Sequence, residues 1–178
     1  MERPYSDAIS YLAENKINKY FRNEGELNKN LVLLNLIRNS KKEIKIYETE
    51  LNTSRYNRKT IEELFDFIWN KNGNLKILID NFSKQSIFYE FIIGNYCSTN
   101  IKVNLTDKKF LNKSLHKEGQ FILGDNSRFA LFFEHGGKQK TVGNFNSKER
   151  CENFEEFFED TFNSEEYSTP LNVLEKCF

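Results

Sequence analysis

The stretch from residue 43 to residue 105 restricts the possible folds more than any other part of the chain. Three short runs of strand character alternate there with two helical patterns. Glu43-Ile-Lys-Ile-Tyr47 alternates polar and apolar residues with the period of a strand. Thr60-Ile-Glu-Glu63 has the form of a capping box and opens a helix through Leu64, Phe65, Phe67, Ile68 and Trp69. Asn72-Gly73 closes that helix, and Leu75-Lys-Ile-Leu-Ile-Asp80 reads as a second strand. Ser83 starts another helix through Ile87, Phe88, Phe91 and Ile92, which ends near Gly94-Asn95; Ile101-Lys-Val-Asn-Leu105 is a third strand. A β-α-β-α-β order of this kind implies parallel pairing through right-handed crossovers.

The flanks add helices before this unit and strands after it. Ser6 to Phe21 reads as a helix on the spacing of Ile9, Leu12, Ile17 and Tyr20, broken at Asn23-Glu-Gly25. Glu26 to Asn39 reads as a second, with Leu31, Leu33, Leu34, Leu36 and Ile37 on its buried stripe. Downstream, Gln120–Gly124, Arg128–Phe133 and Gln139–Gly143 form a β-meander, turned at Asp125-Asn126 and His135-Gly-Gly137. Ser147 caps a final helix that carries Cys151, Phe154, Phe157, Phe158 and Phe162 on one stripe. Glu149, Glu152, Glu155, Glu156 and Glu159 of this helix are expected mostly to face water. The class is therefore α/β, a mixed β-sheet flanked by helices: β-α-β-α-β, then a β-meander and a C-terminal helix. The expected organisation is an N-terminal helical extension over 1–26, the α/β domain over 27–163 and a loosely docked tail over 164–178.

Composition narrows the setting. A chain of 178 residues is the size of one domain, and aromatics at 15% disfavour disorder. No apolar run approaches the ~18 residues of a membrane helix, and no signal peptide is visible, so a cytoplasmic protein with no membrane association is expected. Cys97, Cys151 and Cys177 form no CxxC pair, and with His116 and His135 as the only histidines a zinc site is not expected. The net charge of +0 is a cancellation: residues 148–178 carry nine carboxylates against three cations, leaving 1–147 with an excess of six positive charges.

The order of elements resembles the single-motif branch of the phospholipase D superfamily, phosphodiesterases with an HxK(x)4D(x)6GSxN signature. Leu36-Ile-Arg-Asn-Ser-Lys-Lys-Glu-Ile-Lys-Ile-Tyr47 looks like the family's entry helix and first strand, and Leu75–Asp80 like its second strand. Val142-Gly-Asn-Phe-Asn146, followed by the helix with Phe154-Glu-Glu-Phe-Phe158, looks like the GSxN strand end and the helix after it. The resemblance implies a His nucleophile on phosphorus, a Lys that neutralises phosphate oxygens, an Asp that orients the His, and a second copy of the motif supplied by homodimerisation.

This chain departs from the signature where the chemistry is done. Counted back from Asp125, the His position falls on Glu118 and the Lys position on Gln120; Asp125 is kept, and Gly143 with Asn144 and Asn146 partly keeps the later element after a longer spacer. A carboxylate at Glu118 repels phosphate, and Gln120 brings hydrogen bonds but no positive charge. His116, two residues upstream of the required spacing, enters the site only through a bulge.

Other constellations are weaker. Lys108, Lys109, Lys113, Lys117, Lys138 and Lys140 flank the motif, with Tyr96, Phe110 and Phe121 nearby in sequence, a pattern that can hold a phosphate backbone or another anion. Thr53, Ser54 and Arg55 follow the first parallel strand, where open α/β sheets form their ligand crevice, and Glu48, Glu50, Asp80 and Asn81 also stand at strand ends. No metal and no cofactor are expected, no glycine-rich phosphate loop is present, and Ser40, Ser54 and Ser147 have no histidine partner in sequence context.

The leading expectation is a non-catalytic binding or regulatory module, homodimeric through the face that catalytic relatives use. Its ligand would be nucleic acid, a nucleotide-like anion or a protein. The resemblance also implies a setting beside bacterial nucleases, restriction or phage-defence systems. Two alternatives stand beside it: an active phosphodiesterase or nuclease using His116 in shifted register, and a structural subunit of a larger complex.

Overall fold

The computed structural model describes residues 4–24, 26–50, 55–81, 86–95, 98–107 and 119–171. In chain order the elements are α1 (Tyr5–Glu14), β1 (Phe21–Glu24), α2 (Glu26–Asn39), β2 (Glu43–Glu50), α3 (Arg58–Trp69), β3 (Asn74–Asn81) and α4 (Ile87–Gly94). There follow β4 (Ile101–Thr106), β5 (Gln120–Gly124), β6 (Arg128–His135), β7 (Lys138–Asn144), α5 (Lys148–Phe162) and β8 (Ser168–Pro170). The strands form one mixed sheet in the order β1-β7-β6-β5-β2-β3-β4-β8. β2, β3 and β4 are parallel, as the alternation with helices requires; β5, β6 and β7 continue from β2 as an antiparallel meander.

The period of two along each strand divides the core into two layers. Ile44, Ile46, Ile77, Ile79, Ile122 and Phe132 face one side, with Ile9 and Ala13 of α1, Leu33, Leu36 and Ile37 of α2, Leu64 and Phe67 of α3, and Phe88 and Phe91 of α4. Tyr47, Leu78, Phe121, Leu123 and Phe129 face the other, where Cys151, Phe154, Phe158 and Phe162 of α5 cover them. Phe158 is fully buried and stacks on Phe162 with ring centroids 5.4 Å apart.

Several elements differ from the sequence-based reading. The first helix ends at Glu14, not Phe21, because Lys16 takes a left-handed φ of 49° and the Ile17 N–H closes onto the Leu12 carbonyl at 3.0 Å. Phe21 then opens β1, an edge strand paired with β7, and its ring stacks on Phe145 at 5.1 Å. Gly143 is small where it must be, since a Cβ there would lie 2.4 Å from the Phe21 ring. Residues assigned to an N-terminal extension thus supply core side chains, Ile9, Ala13 and Phe21. The segment expected as a loosely docked tail supplies β8, which pairs with β4 through Ser168, Thr169 and Pro170. Asn57, one turn ahead of the expected capping box, caps α3 by accepting from the Thr60 N–H at 3.1 Å, and the Thr60 hydroxyl donates to the Arg55 carbonyl. Ser147 holds the N-cap position of α5 without a side-chain cap bond, and Ser86 caps α4.

Removing the Phe158 ring leaves a cavity that α5 cannot close without leaving the sheet. Phe158→Ala is expected to cost about 3–5 kcal/mol, read as a lower urea midpoint at unchanged slope.

Candidate functional site

The carboxyl ends of β2, β3 and β4 lie at one end of the sheet, and the start of β5 joins them there. One step beyond the Tyr47–Phe121 pair, Glu48 and Gln120 come side by side on the face of α2. Glu48 is fully buried. Its Oε2 accepts from Arg55 Nη2 at 2.6 Å and its Oε1 from the Tyr56 hydroxyl at 3.0 Å. The same Arg55 nitrogen donates to Gln120 Oε1 at 2.5 Å, and the guanidinium lies over the Phe132 ring at 4.5 Å. Gln120 Nε2 in turn donates to the Thr49 hydroxyl at 2.9 Å. Burial pushes the Glu48 carboxyl above its ordinary range, while Arg55 and Tyr56 pull it back. A hollow of about 270 Å³ opens here, lined by Tyr47, Thr49, Gly119, Gln120, Phe132, Phe133, Gln139 and one acid, Glu134.

Asp125 lies at the other end of β5. It stands in a left-handed turn, φ 49°, and caps the start of β2. Its oxygens accept from the backbone N–H groups of Lys41, Lys42 and Glu43 at 2.8, 2.7 and 3.2 Å, and from Arg128 Nη1 at 3.0 Å. Asn144 and Asn146 lie near this end too. Asn144 is buried, donates to Asn18 Oδ1 at 2.8 Å and accepts from the Asn146 N–H. Register explains the separation: Asn144 pairs with Phe129, whereas Gln120 pairs with Phe132 and Phe132 with Thr141. Val142–Asn146 therefore does not meet Gln120. The pattern's six-residue spacer counted from Asp125 puts the Gly-Ser-x-Asn positions on Phe132, Phe133 and His135, and β7 carries the look-alike residues back to the far end. Glu118, His116, Lys108, Lys109, Lys113 and Lys117 lie outside the described residues, as do Thr53, Ser54, Ser83, Tyr96 and Phe110. Lys138 and Lys140 lie on β7, opposite His135 and Phe133.

Three carboxylates do converge, on the α5 face. Glu43, Glu155 and Glu159 have oxygens within 4.8 Å of one another. Two ammonium groups already stand among them. Lys45, 3% exposed, meets Glu155, Glu159 at 2.9 Å and Glu43 at 3.0 Å; Lys76 meets Glu159 at 2.7 Å and Glu43 at 3.5 Å. Glu155 and Glu159 are thus half-buried partners of strand lysines, a correction to the expectation that the helix's acids mostly face water. Desolvation works against the charge on Lys45, but the hydrogen bonds it donates to Glu155, Glu159 and Glu43 outweigh it and raise its pKa. Desolvation likewise works against Glu159, yet Lys76, Lys45 and Asn163 hold it down at about 2.

No family model matches the chain, and no curated protein matches it in sequence. Solved structures match the fold. The Salmonella typhimurium phospholipase D family member Nuc aligns at TM-score 0.58 and 14% identity, over 86% of this chain and 99% of that one. NucT from Helicobacter pylori aligns at 0.61 and 13%, over 87% and 100%. The archaeal chromatin protein TrmBL2, described as showing a novel mode of DNA binding, aligns at 0.61 and 13%, over 88% of this chain but only 57% of its own length. The chain has the phospholipase D-like fold.

Two expectations follow. Arg55→Met leaves Glu48 buried without its cation and should cost about 3–5 kcal/mol, much of it recovered when Glu48→Gln is added; a double-mutant cycle by chemical denaturation reads this. Glu159, held below its ordinary 4.5 at about 2, stabilises the fold above pH 4.5, and that contribution is lost as pH falls through 2. Glu159→Gln should therefore flatten the stability profile in that window, measured by thermal melts at stepped pH.

Proposed function

We propose that this chain is a non-catalytic phospholipase D-like module, a homodimer that binds nucleic acid rather than cleaving it. One observation carries the reading. The position that should bring a phosphate-neutralising lysine holds Gln120, and its amide oxygen is taken by Arg55, whose charge is already answered by buried Glu48. A guanidinium so held can position Gln120 but has little charge left for a phosphate in a transition state. The DNA binding in the description of TrmBL2 and the excess of six positive charges over residues 1–147 support nucleic acid as the ligand. A regulatory role beside a nuclease or in a bacterial defence system agrees with a fold kept without its reactive pair.

A second reading, a phosphodiesterase using His116, is favoured by two features. The hollow beside Gln120 is large enough for a phosphodiester, and the chain spans practically the whole of Nuc and NucT.

Incubation with single- and double-stranded DNA and RNA, with and without EDTA, separates the two. Wild type is expected to give no cleavage above buffer and to be matched by His116→Ala. Cleavage that disappears in His116→Ala would sink the non-catalytic reading. Light scattering should return twice the 21.2 kDa chain mass.

A further inference from the structure

Helix α5 does not cover its whole face of the sheet. Burial fades along β6 away from it: Phe129 is 1% exposed, Leu131 and Phe133 are half-buried, and His135 is exposed. Register places Arg22 opposite Val142, Val142 opposite Leu131, and Lys140 opposite Phe133. Leu131 packs with the α5-side cluster, so alternation puts these side chains on the α5 face. Two hollows of about 350 and 330 Å³ lie there and share Arg22 and Val142, making one groove across β6, β7 and β1.

The groove's chemistry is one-sided. Its floor is Leu131, Phe133 and Val142, and its rim carries Arg22, Lys140 and Arg150. Among the described residues no carboxylate lines it, and neither Arg22 nor Arg150 is ion-paired. Tyr20, 56% exposed, stands at one wall, edge-on to Phe129 at 6.1 Å; the Arg150 guanidinium lies 5.2 Å from the Phe154 ring centre at the other. Cations along an apolar, aromatic floor suit a backbone of phosphates whose bases are free to turn inward. A duplex would offer phosphates but keep its bases from the floor.

We propose that this groove is a binding track for single-stranded nucleic acid, distinct from the strand-end cleft at Gln120. The assignment rests on the nucleic-acid reading above and locates it. Arg22, Lys140 and Arg150 hold phosphates, and Tyr20 and Phe133 stack on bases.

Fluorescence anisotropy with labelled oligothymidine, and with a duplex of matched length, across a salt series tests this. Wild type should prefer the single strand, with affinity falling linearly in log–log salt. Arg22→Glu with Arg150→Glu should weaken binding about tenfold or more and flatten the slope; Tyr20→Ala should weaken it about fivefold or more at unchanged slope. All three side chains are exposed, so circular dichroism melts should match wild type. If the double variant binds oligothymidine as wild type does, the groove is the wrong surface while nucleic-acid binding stands. If wild type binds neither strand form, both readings fall. Equal binding of the duplex overturns the single-strand assignment. A dimer that the double variant dissociates, with no nucleic acid bound by wild type, would give the groove to a second copy of the chain instead.

Discussion

A strand buried on both faces and paired on both edges cannot bury a charge unless a partner is brought to it, and β2 buries two. It lies between β3 and β5 with Lys45 turned to one layer and Glu48 to the other, 3% and 0% exposed. Stripping water from such groups costs several kcal/mol each unless counter-charge and hydrogen bonds replace it. Each layer is arranged accordingly. On one side α5 brings Glu155 and Glu159 to Lys45, and its Phe154, Phe158 and Phe162 are laid down on the sheet in the same register. On the other, the chain after β2 returns Arg55 and Tyr56 to Glu48 before α3 begins, and the Thr60 hydroxyl holds that return through the Arg55 carbonyl.

The second arrangement reaches the strand-end site. Arg55 bridges Glu48 and Gln120 across two strands, so stabilising the centre of the sheet also fixes the Gln120 amide at the strand end. A lysine at 120 would put a second cation beside a guanidinium that has one carboxylate to share, so the residue at 120 and the stability of β2 are directly linked.

Much of this was legible in the sequence where a period repeats locally. The alternation over 43–105 sets the parallel strands and both crossovers, and the Phe stripe sets α5. Glu48 was legible too: it shares the parity of Ile44 and Ile46, which marks an inward acid in need of a partner, though Arg55 as that partner depends on a turn no period encodes. What escaped the reading depends on distant pairing. β1 and β8 are edge strands of four and three residues whose partners lie far along the chain. Ile17 and Tyr20 prolong a helical spacing that a left-handed Lys16 has already ended. Val142–Asn146 resembles a signature by composition, but β7 carries it to the end of the sheet away from Gln120, and only register reveals that.

The same pairing explains why a chain with no net charge can present a cationic surface. The acids of α5 are concentrated in its C-terminal half, where Lys45 and Lys76 neutralise the two that face inward, over β2 and β3. At the N-terminal end of α5, Arg150 and Phe154 border the β1–β7–β6 edge, and no acid answers Arg22 or Arg150 among the described residues. Two acids of α5 are thus drawn to the sheet centre by the buried lysines, and among the described residues no carboxylate lines the groove at the far edge. Fields decay over about 10 Å at ordinary ionic strength, so an anion approaching that edge meets the local cations rather than the balanced total. β1 and β7, the strands at that edge of the sheet, are also what carries the groove, so its cations are set by edge pairing rather than by the net charge of the chain.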